Sequence, residues 1–289
     1  MKVGIIGFGS IGRRHAHNLL ELGHTIYVYD PDDSMGRSVE SEQELIEKSD
    51  AVVIASPTTH HFAHLLMARD KPVFVEKPIA ATMDQLIILG GKSYPLMCGY
   101  NQRFNSAVKQ AKAWLDGGLI GSPTWATFCC AQYNDKPQYL RDGVVLNWSH
   151  EIDLALYLLG PAKVHSAAVS GGEHDDAADI LLSHQRSVIS HIHLDYVTKP
   201  ERRGFAIGGP GGWIEVNLPE RRATLHVPEA EEGALHYWDT EGSYDQDYKD
   251  EMQAFIDRID GKETIGCTGQ EALDVLEICL KVREMGGYR

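Results

Sequence analysis

The sequence predicts two domains: an α/β domain on a parallel sheet covered on both faces, then an α+β domain on a mostly antiparallel sheet. Two observations carry this. In the first part of the chain, short and nearly continuous apolar runs alternate with helical patterns, which is how strands buried on both faces read. Further on, several short strand-like runs are joined by turns, with one helical stretch among them. The chain has 289 residues, enough to bury two cores.

Taken in order, "KVGII" is a short buried strand and "GFGSIG" turns into the helix "IGRRHAHNLLELG", closed by Gly23. "TIYVYD", "AVVIAS", "PVFVE" and the weaker "PLMCGY" are the following strands. "PTTHHFAHLLMARD" has helical spacing. Between Asp30 and Ala51 the room is small; it predicts a turn, a minimal extended piece at Ser38 and Val39, and a helix over 41–49. Ser41 with Glu44 forms a capping-box pattern there. After "FNSAVKQAKAWLDGGLIG" the texture changes. "PTWATFCCAQY", "AKVHSAAVSG", "AADILLSH", "SVISHIHLDY", "RGFAIGGPGGWIEVN" and "RATLHV" read as strands, and "SHEIDLALYLLG" as one long helix among them. Two helical stretches, "DYKDEMQAFIDRID" and "QEALDVLEICLKVREM", end the chain. The expected domains are 1–120 and 121–289.

The bulk numbers exclude some classes. Net charge is −14, without a Lys/Arg run to offset it, so nucleic acid and acidic lipid are disfavoured partners. No apolar run approaches a membrane span, and the N-terminus runs straight into a motif rather than a cleavage site. Cys98, Cys129, Cys130, Cys267 and Cys279 are an odd number without a CxxC, which suits reduced thiols in the cytoplasm.

Gly7-Phe8-Gly9-Ser10-Ile11-Gly12 is G-x-G-x-x-G after a strand and opening a helix. Gly7 permits the tight turn, Gly9 lets a pyrophosphate touch the backbone, and Gly12 lets helix and strand pack closely. Asp30 ends the next strand, at the spacing where a carboxylate binds the adenosine ribose hydroxyls. A carboxylate there repels a 2′-phosphate, which favours NAD over NADP. Glu76-Lys77-Pro78 stands at the carboxyl end of an apolar strand, where open α/β sheets bind ligands. Lys77 there is compatible with stabilising an alkoxide and equally with a solvated strand end.

"GFGSIG", "SPTTHH", "VEKPIA", "GYNQRFN…LDGGLIG" and "SHEIDLALYLLG" occur in the order and spacing of the Gfo/Idh/MocA family of NAD(P)-dependent oxidoreductases, which the chain resembles over nearly its whole length. The resemblance implies a Rossmann domain, then a domain whose sheet is open-faced. It implies hydride transfer at a secondary alcohol of a sugar, cyclitol or nucleotide sugar, and a homodimer or homotetramer formed through that sheet. It makes Lys77 catalytic or substrate-binding, and Glu76 a residue on the nicotinamide side of the cofactor. Ser56, Pro57 and Thr58 resemble the family's cofactor-contacting loop, with His61 at its usual histidine position. Asn101 and Arg103 resemble substrate-proximal positions; Arg103 suits a hydroxyl or phosphate anchor, or a solvated loop. A His60, His61 and His64 metal cluster lacks a carboxylate at matching spacing, so no metal is expected. His191 and His193 alternate on a strand and read as sheet surface or substrate wall.

Asn147, His150 and Asp153 lie three apart, so they share a face of the expected helix. Asn147 suits its N-cap. Taking the hydroxyl proton needs a base, and histidine suits that task near neutral pH. The resemblance makes His150 that base. It puts an Asp where this chain has Asn147, and an amide binds a hydroxyl without accepting its proton. Asp153 is placed to orient His150 or to serve the core. Tyr133, Tyr139, Trp148, Tyr196 and Trp213 suit a pocket or a core alike. Two rivals stand beside the dehydrogenase: a catalytically weakened NAD-binding sensor, and a reductase of a non-sugar imine or enone.

Overall fold

The apolar runs become β1 (Lys2–Ile6), β2 (Thr25–Tyr29), β3 (Ala51–Ile54), β4 (Val73–Glu76) and β5 (Leu96–Gly99), all parallel, with the two-residue β14 (Cys267–Thr268) antiparallel beside β5. The computed structural model describes residues 1–32, 38–90, 96–134, 143–172, 174–228, 234–239 and 242–288. It divides into a unit of residues 1–104 with 243–276 and a unit of residues 105–242 with 277–289.

In the first unit the strand order is β14-β5-β4-β3-β1-β2. The direction of winding reverses at β1, which puts a ligand crevice at its carboxyl end. Side chains alternate across the sheet. Val3, Ile5, Ala51, Val53, Phe74 and Met97 form one face and pack with Ala16 and Leu19 of α1 (Ser10–Glu21) and Met252, Phe255 and Ile256 of α8 (Tyr244–Ile259). On the other face, a Cβ on Gly4 would lie 2.3 Å from Leu45 of α2 (Glu42–Lys48), so glycine admits that helix. Ser41 caps α2 by accepting the Glu44 N–H at 3.1 Å, and the Glu44 carboxylate accepts the Glu40 N–H at 2.8 Å. Helices α3 (Thr58–Met67) and α4 (Met83–Gly90) follow β3 and β4.

The second unit holds eight strands in the order β13-β12-β11-β10-β6-β9-β8-β7. They are β6 (Trp125–Ala131), β7 (Ala162–Gly171), β8 (Asp175–His184), β9 (Ile189–Asp195), β10 (Arg202–Gly209), β11 (Gly212–Asn217), β12 (Arg222–Val227) and β13 (Ala234–Asp239). Every pairing is antiparallel except β6 with β9. One face is buried through Phe128, Ile180, Ile192, Phe205, Ile207 and Ile214, toward α5 (Ser106–Asp116), α6 (Val144–Asn147) and α7 (His150–Leu159). The other carries Thr127, Asp179, His191 and Glu215, all exposed.

Four expectations are corrected. The first unit ends at Phe104 rather than near 120, and it takes back residues 243–276, because α8 packs on α1 and on the 3-10 turn Asn101–Phe104. Ser38 and Val39 form no strand; Ser38 instead bonds the end of β2, its N–H reaching the Val28 carbonyl at 2.9 Å and its hydroxyl accepting the Val28 N–H at 2.8 Å. "RGFAIGGPGGWIEVN" is two strands hinged at Pro210 and Gly211. The long helix of 149–160 begins at His150, with a separate short helix before it. Tyr139 lies outside the described residues.

Candidate active site

The glycine turn has the shape that a bound pyrophosphate requires. Gly7 sits at φ +90°, and a Cβ there would lie 2.6 Å from Ser56 N. A Cβ on Gly12 would lie 2.1 Å from the Gly7 carbonyl oxygen, whereas one on Gly9 would meet nothing within 4 Å. The turn is therefore closed against the sheet and open at Gly9. No side chain among the described residues caps α1, so the first-turn N–H groups of Ser10 and Ile11 are oriented for an anion. Asp30 is pinned beside the turn: one carboxylate oxygen accepts the Phe8 N–H at 2.6 Å and the other the Asp32 N–H at 2.9 Å. These residues fit a dinucleotide with a free 2′-hydroxyl.

The turns after β3 and β4 are tied by histidine. His61 is 1 % exposed, and its ring nitrogens stand 2.8 Å from the carbonyl oxygens of Ser56 and Pro78. Burial pushes its pKa down, against the pull of those carbonyls. Both ring nitrogens face carbonyl oxygens, so His61 ties the turn after β3 to the turn after β4. His64 extends the strap, between the Ser56 hydroxyl at 3.0 Å and the Glu42 carboxylate at 3.0 Å.

Glu76 ends β4, and its carboxylate accepts from His15 Nε2 at 2.7 Å and from the Lys77 N–H at 3.3 Å. Lys77 is half-buried at the crevice end of the strand. Sequence reasoning missed His15: its only mark was a histidine on the buried stripe of α1, beside Ala16 and Leu19.

Beyond β5, Asn101 and Arg103 stand in the 3-10 turn, both 2 % exposed. The Arg103 guanidinium donates to Glu271 at 3.1 Å and to the Ile265 carbonyl at 3.4 Å. These bonds fasten the turn, and the burial removes the solvated-loop reading of Arg103. Burial works against ionisation of Glu271, but the Arg103 charge and the Thr268 donors outweigh it and hold the carboxyl below its ordinary range. The Asn101 amide nitrogen is buried with no hydrogen-bond partner among the described residues.

In the second unit, Asn147 closes α6, while His150 and Asp153 open α7. The N-cap of α7 is Ser149, so Asn147 is no cap and shares no continuous helical face with His150. His150 is 8 % exposed and Asp153 fully buried. The start of α6 is held from β8: Asp175 accepts the Val145 N–H at 2.9 Å and faces Arg283 at 3.3 Å. The Tyr196 hydroxyl donates to the Gly143 carbonyl at 2.9 Å, and its ring meets Trp148 edge-on. Glu151, 1 % exposed, is paired with Arg203 at 2.8 Å. Tyr196 thus fills a core, while Trp213 stacks on His226 and Tyr133 lies under Lys199.

Residues 1–89 match the model of an oxidoreductase family with an NAD-binding Rossmann fold, and residues 108–215 match the GFO/IDH/MocA C-terminal domain. The chain is 26% identical to the myo-inositol 2-dehydrogenase of Thermotoga maritima, over 94% of this chain and 92% of that protein. Two solved structures share its fold. The UDP-N-acetylglucosamine 3-dehydrogenase of Acidithiobacillus ferrooxidans superposes with TM-score 0.87 at 21% identity, covering 100% of this chain and 98% of its own. Levoglucosan dehydrogenase in complex with NADH and levoglucosan superposes with TM-score 0.88 at 18% identity, covering 99% and 97%. With its glycine turn and Asp30 shaped for NAD, and both of its parts matched, the chain belongs to the Gfo/Idh/MocA family of NAD-binding oxidoreductases.

Proposed function

We propose that the protein oxidises a secondary hydroxyl of a cyclitol or sugar, a nucleotide sugar included, to the ketone. Bound NAD supplies the hydride acceptor. The observation that carries the reading is the Glu76-Lys77 step at the carboxyl end of β4, in the unit whose glycine turn and Asp30 fit NAD. The inositol 2-dehydrogenases among its relatives support the substrate class. As the C–H hydride leaves, the hydroxyl proton passes to His150, and the Lys77 ammonium stabilises the developing alkoxide. Asn147 accepts no proton, so its role is to hydrogen-bond a substrate hydroxyl, and the proton route ends at His150. Asn101 is assigned to the substrate as well, and Asp153 to orienting His150 from the core. The substrate is a small molecule, and the cytoplasm is the proposed location.

The test supplies NAD with myo-inositol, other cyclitols, sugars and nucleotide sugars, and follows NADH absorbance. Turnover is expected with at least one, and Lys77→Ala should lower kcat by about a thousandfold. Full activity in Lys77→Ala sinks the assignment. One observation favours a second reading, a weakened NAD-binding sensor: the amide at Asn147. It predicts tight NAD binding without turnover on the whole panel.

A further inference from the structure

Glu76 is held from three sides within the first unit. His15 Nε2 stands 2.7 Å from one carboxylate oxygen, and the Lys77 N–H donates to the other at 3.3 Å. Beneath the carboxylate lies Gly99, its register partner on β5. A Cβ there would come within 3.0 Å of Oε2 and 3.1 Å of Oε1, so a glycine is what lets the carboxylate lie flat on the strand. His15 itself is 0 % exposed, with Phe74 and Tyr248 edge-on to its ring.

The proton count follows from the contacts. His15 Nδ1 is buried with no hydrogen-bond partner among the described residues. An imidazolium would bury an N–H without an acceptor at that atom, in apolar surroundings. The neutral tautomer with its proton on Nε2 donates to Glu76 and leaves only a lone pair at Nδ1, which costs less. The hydrogen-bond pattern therefore assigns a neutral His15 and an ionised Glu76, a pair of net charge −1. It stands at the carboxyl end of β4, on the side of β1 opposite β2 and Asp30. A dinucleotide with its adenosine at β2 carries its other base toward that side.

We propose that His15 is a positioning residue that holds the Glu76 carboxylate at the nicotinamide end of the cofactor site, and that this negative pair makes the protein prefer NAD+ to NADH. The oxidised ring is cationic and the reduced ring neutral. A fixed negative charge in a partly buried site attracts the first and is indifferent to the second. The preference is a property of the binary complex, so it stands or falls independently of which alcohol is oxidised.

The experiment titrates NAD+ and NADH separately into the purified full chain, with no alcohol present. It compares the wild type with His15→Gln, His15→Met and Glu76→Gln. His15→Gln keeps an N–H donor for Glu76; His15→Met keeps volume and no donor. In His15→Met and Glu76→Gln the preference for NAD+ over NADH should fall by about tenfold, through weaker NAD+ binding. His15→Gln should keep it within about twofold. Equal weakening of both forms, or an unchanged ratio in both variants, overturns the proposal. Should His15→Met not fold, Glu76→Gln still decides the charge effect. The 15N spectrum of the wild-type histidines decides the tautomer, with the His15 resonances identified by their loss in His15→Gln. An imidazolium at His15 at neutral pH overturns it.

Discussion

Arg103 shows how a residue type points one way and its surroundings another. In "GYNQRF" it read as an anchor for a substrate hydroxyl or phosphate, or as a solvated loop residue. In the fold its side chain is 2 % exposed and paired with Glu271, which is 43 % exposed. Truncating the buried partner leaves a carboxylate without its cation and a gap in the 3-10 turn. Arg103→Met should therefore cost roughly 2–3 kcal/mol, below the range for fully buried pairs because Glu271 is partly screened by solvent. Urea unfolding at neutral pH measures it. The pH sign follows from Glu271. Its pKa is lowered in the folded protein, so the stabilisation is present above the ordinary value of 4.5 and is lost as pH falls through the lower folded value. Glu271→Gln should thus be less stable than wild type at neutral pH, with the gap closing as pH falls below the ordinary carboxylate range. A gap that stays constant with pH would refute the pairing. NAD affinity in Arg103→Met should stay near that of the wild type, which separates fastening from ligand binding.

Elements were legible where their cause is local. The glycine turn, β1 to β4, the Ser41 cap and the Gly160 stop at φ +83° each depend on residues within a few positions of themselves. The start of α6 does not. It is fixed from a distance: Asp175 accepts the Val145 N–H, and the Tyr196 hydroxyl donates to the Gly143 carbonyl. The same holds for α8, whose apolar stripe names no partner, although Met252, Phe255 and Ile256 belong to the core of the first unit. Gly143 is the joint that lets α6 start where it does. It sits at φ +86°, and a Cβ there would lie 2.0 Å from Asp175 Oδ1. Gly143→Ala combines backbone strain with a clash against a buried carboxylate, so it should destabilise by about 2–3 kcal/mol. If α6 positions Asn147 for substrate, the folded fraction of this variant should also show a raised KM with NAD affinity unchanged. Wild-type stability in Gly143→Ala would mean that Asp175 does not set the start of α6.

At the scale of the molecule, the second unit leaves one sheet face without helices among the described residues. Trp125 and Ile189 are register partners on β6 and β9, 43 % and 50 % exposed, and the Trp125 indole lies over Gly208. Beside them Gly204 and Ala206 make a shallow groove, with Thr127, Cys129, Glu215 and Asn217 along its sides. Some charges of this face are paired laterally, while Arg202 lies exposed beside the groove. Asp179 bonds His191 and His193, each at 2.9 Å, and Asp195 bonds His193 at 3.0 Å. Burial opposes a proton on His193, but the two carboxylates prevail and raise its pKa. A large apolar pair on a face without helices suits a self-complementary contact, because docking a second copy buries Trp125 and Ile189. The homodimer or homotetramer that the family resemblance implies would form on this face. Trp125→Glu with Ile189→Glu would bury two unpaired carboxylates there, and each such burial costs several kcal/mol. That exceeds what a contact of this kind can spare. Light scattering on a sizing column should find a dimer or tetramer for the wild type and a smaller species for the double variant. NAD affinity should be unchanged in the variant, since every residue assigned to the cofactor belongs to the first unit. An unchanged mass in the double variant, or a monomeric wild type, removes this face as the interface.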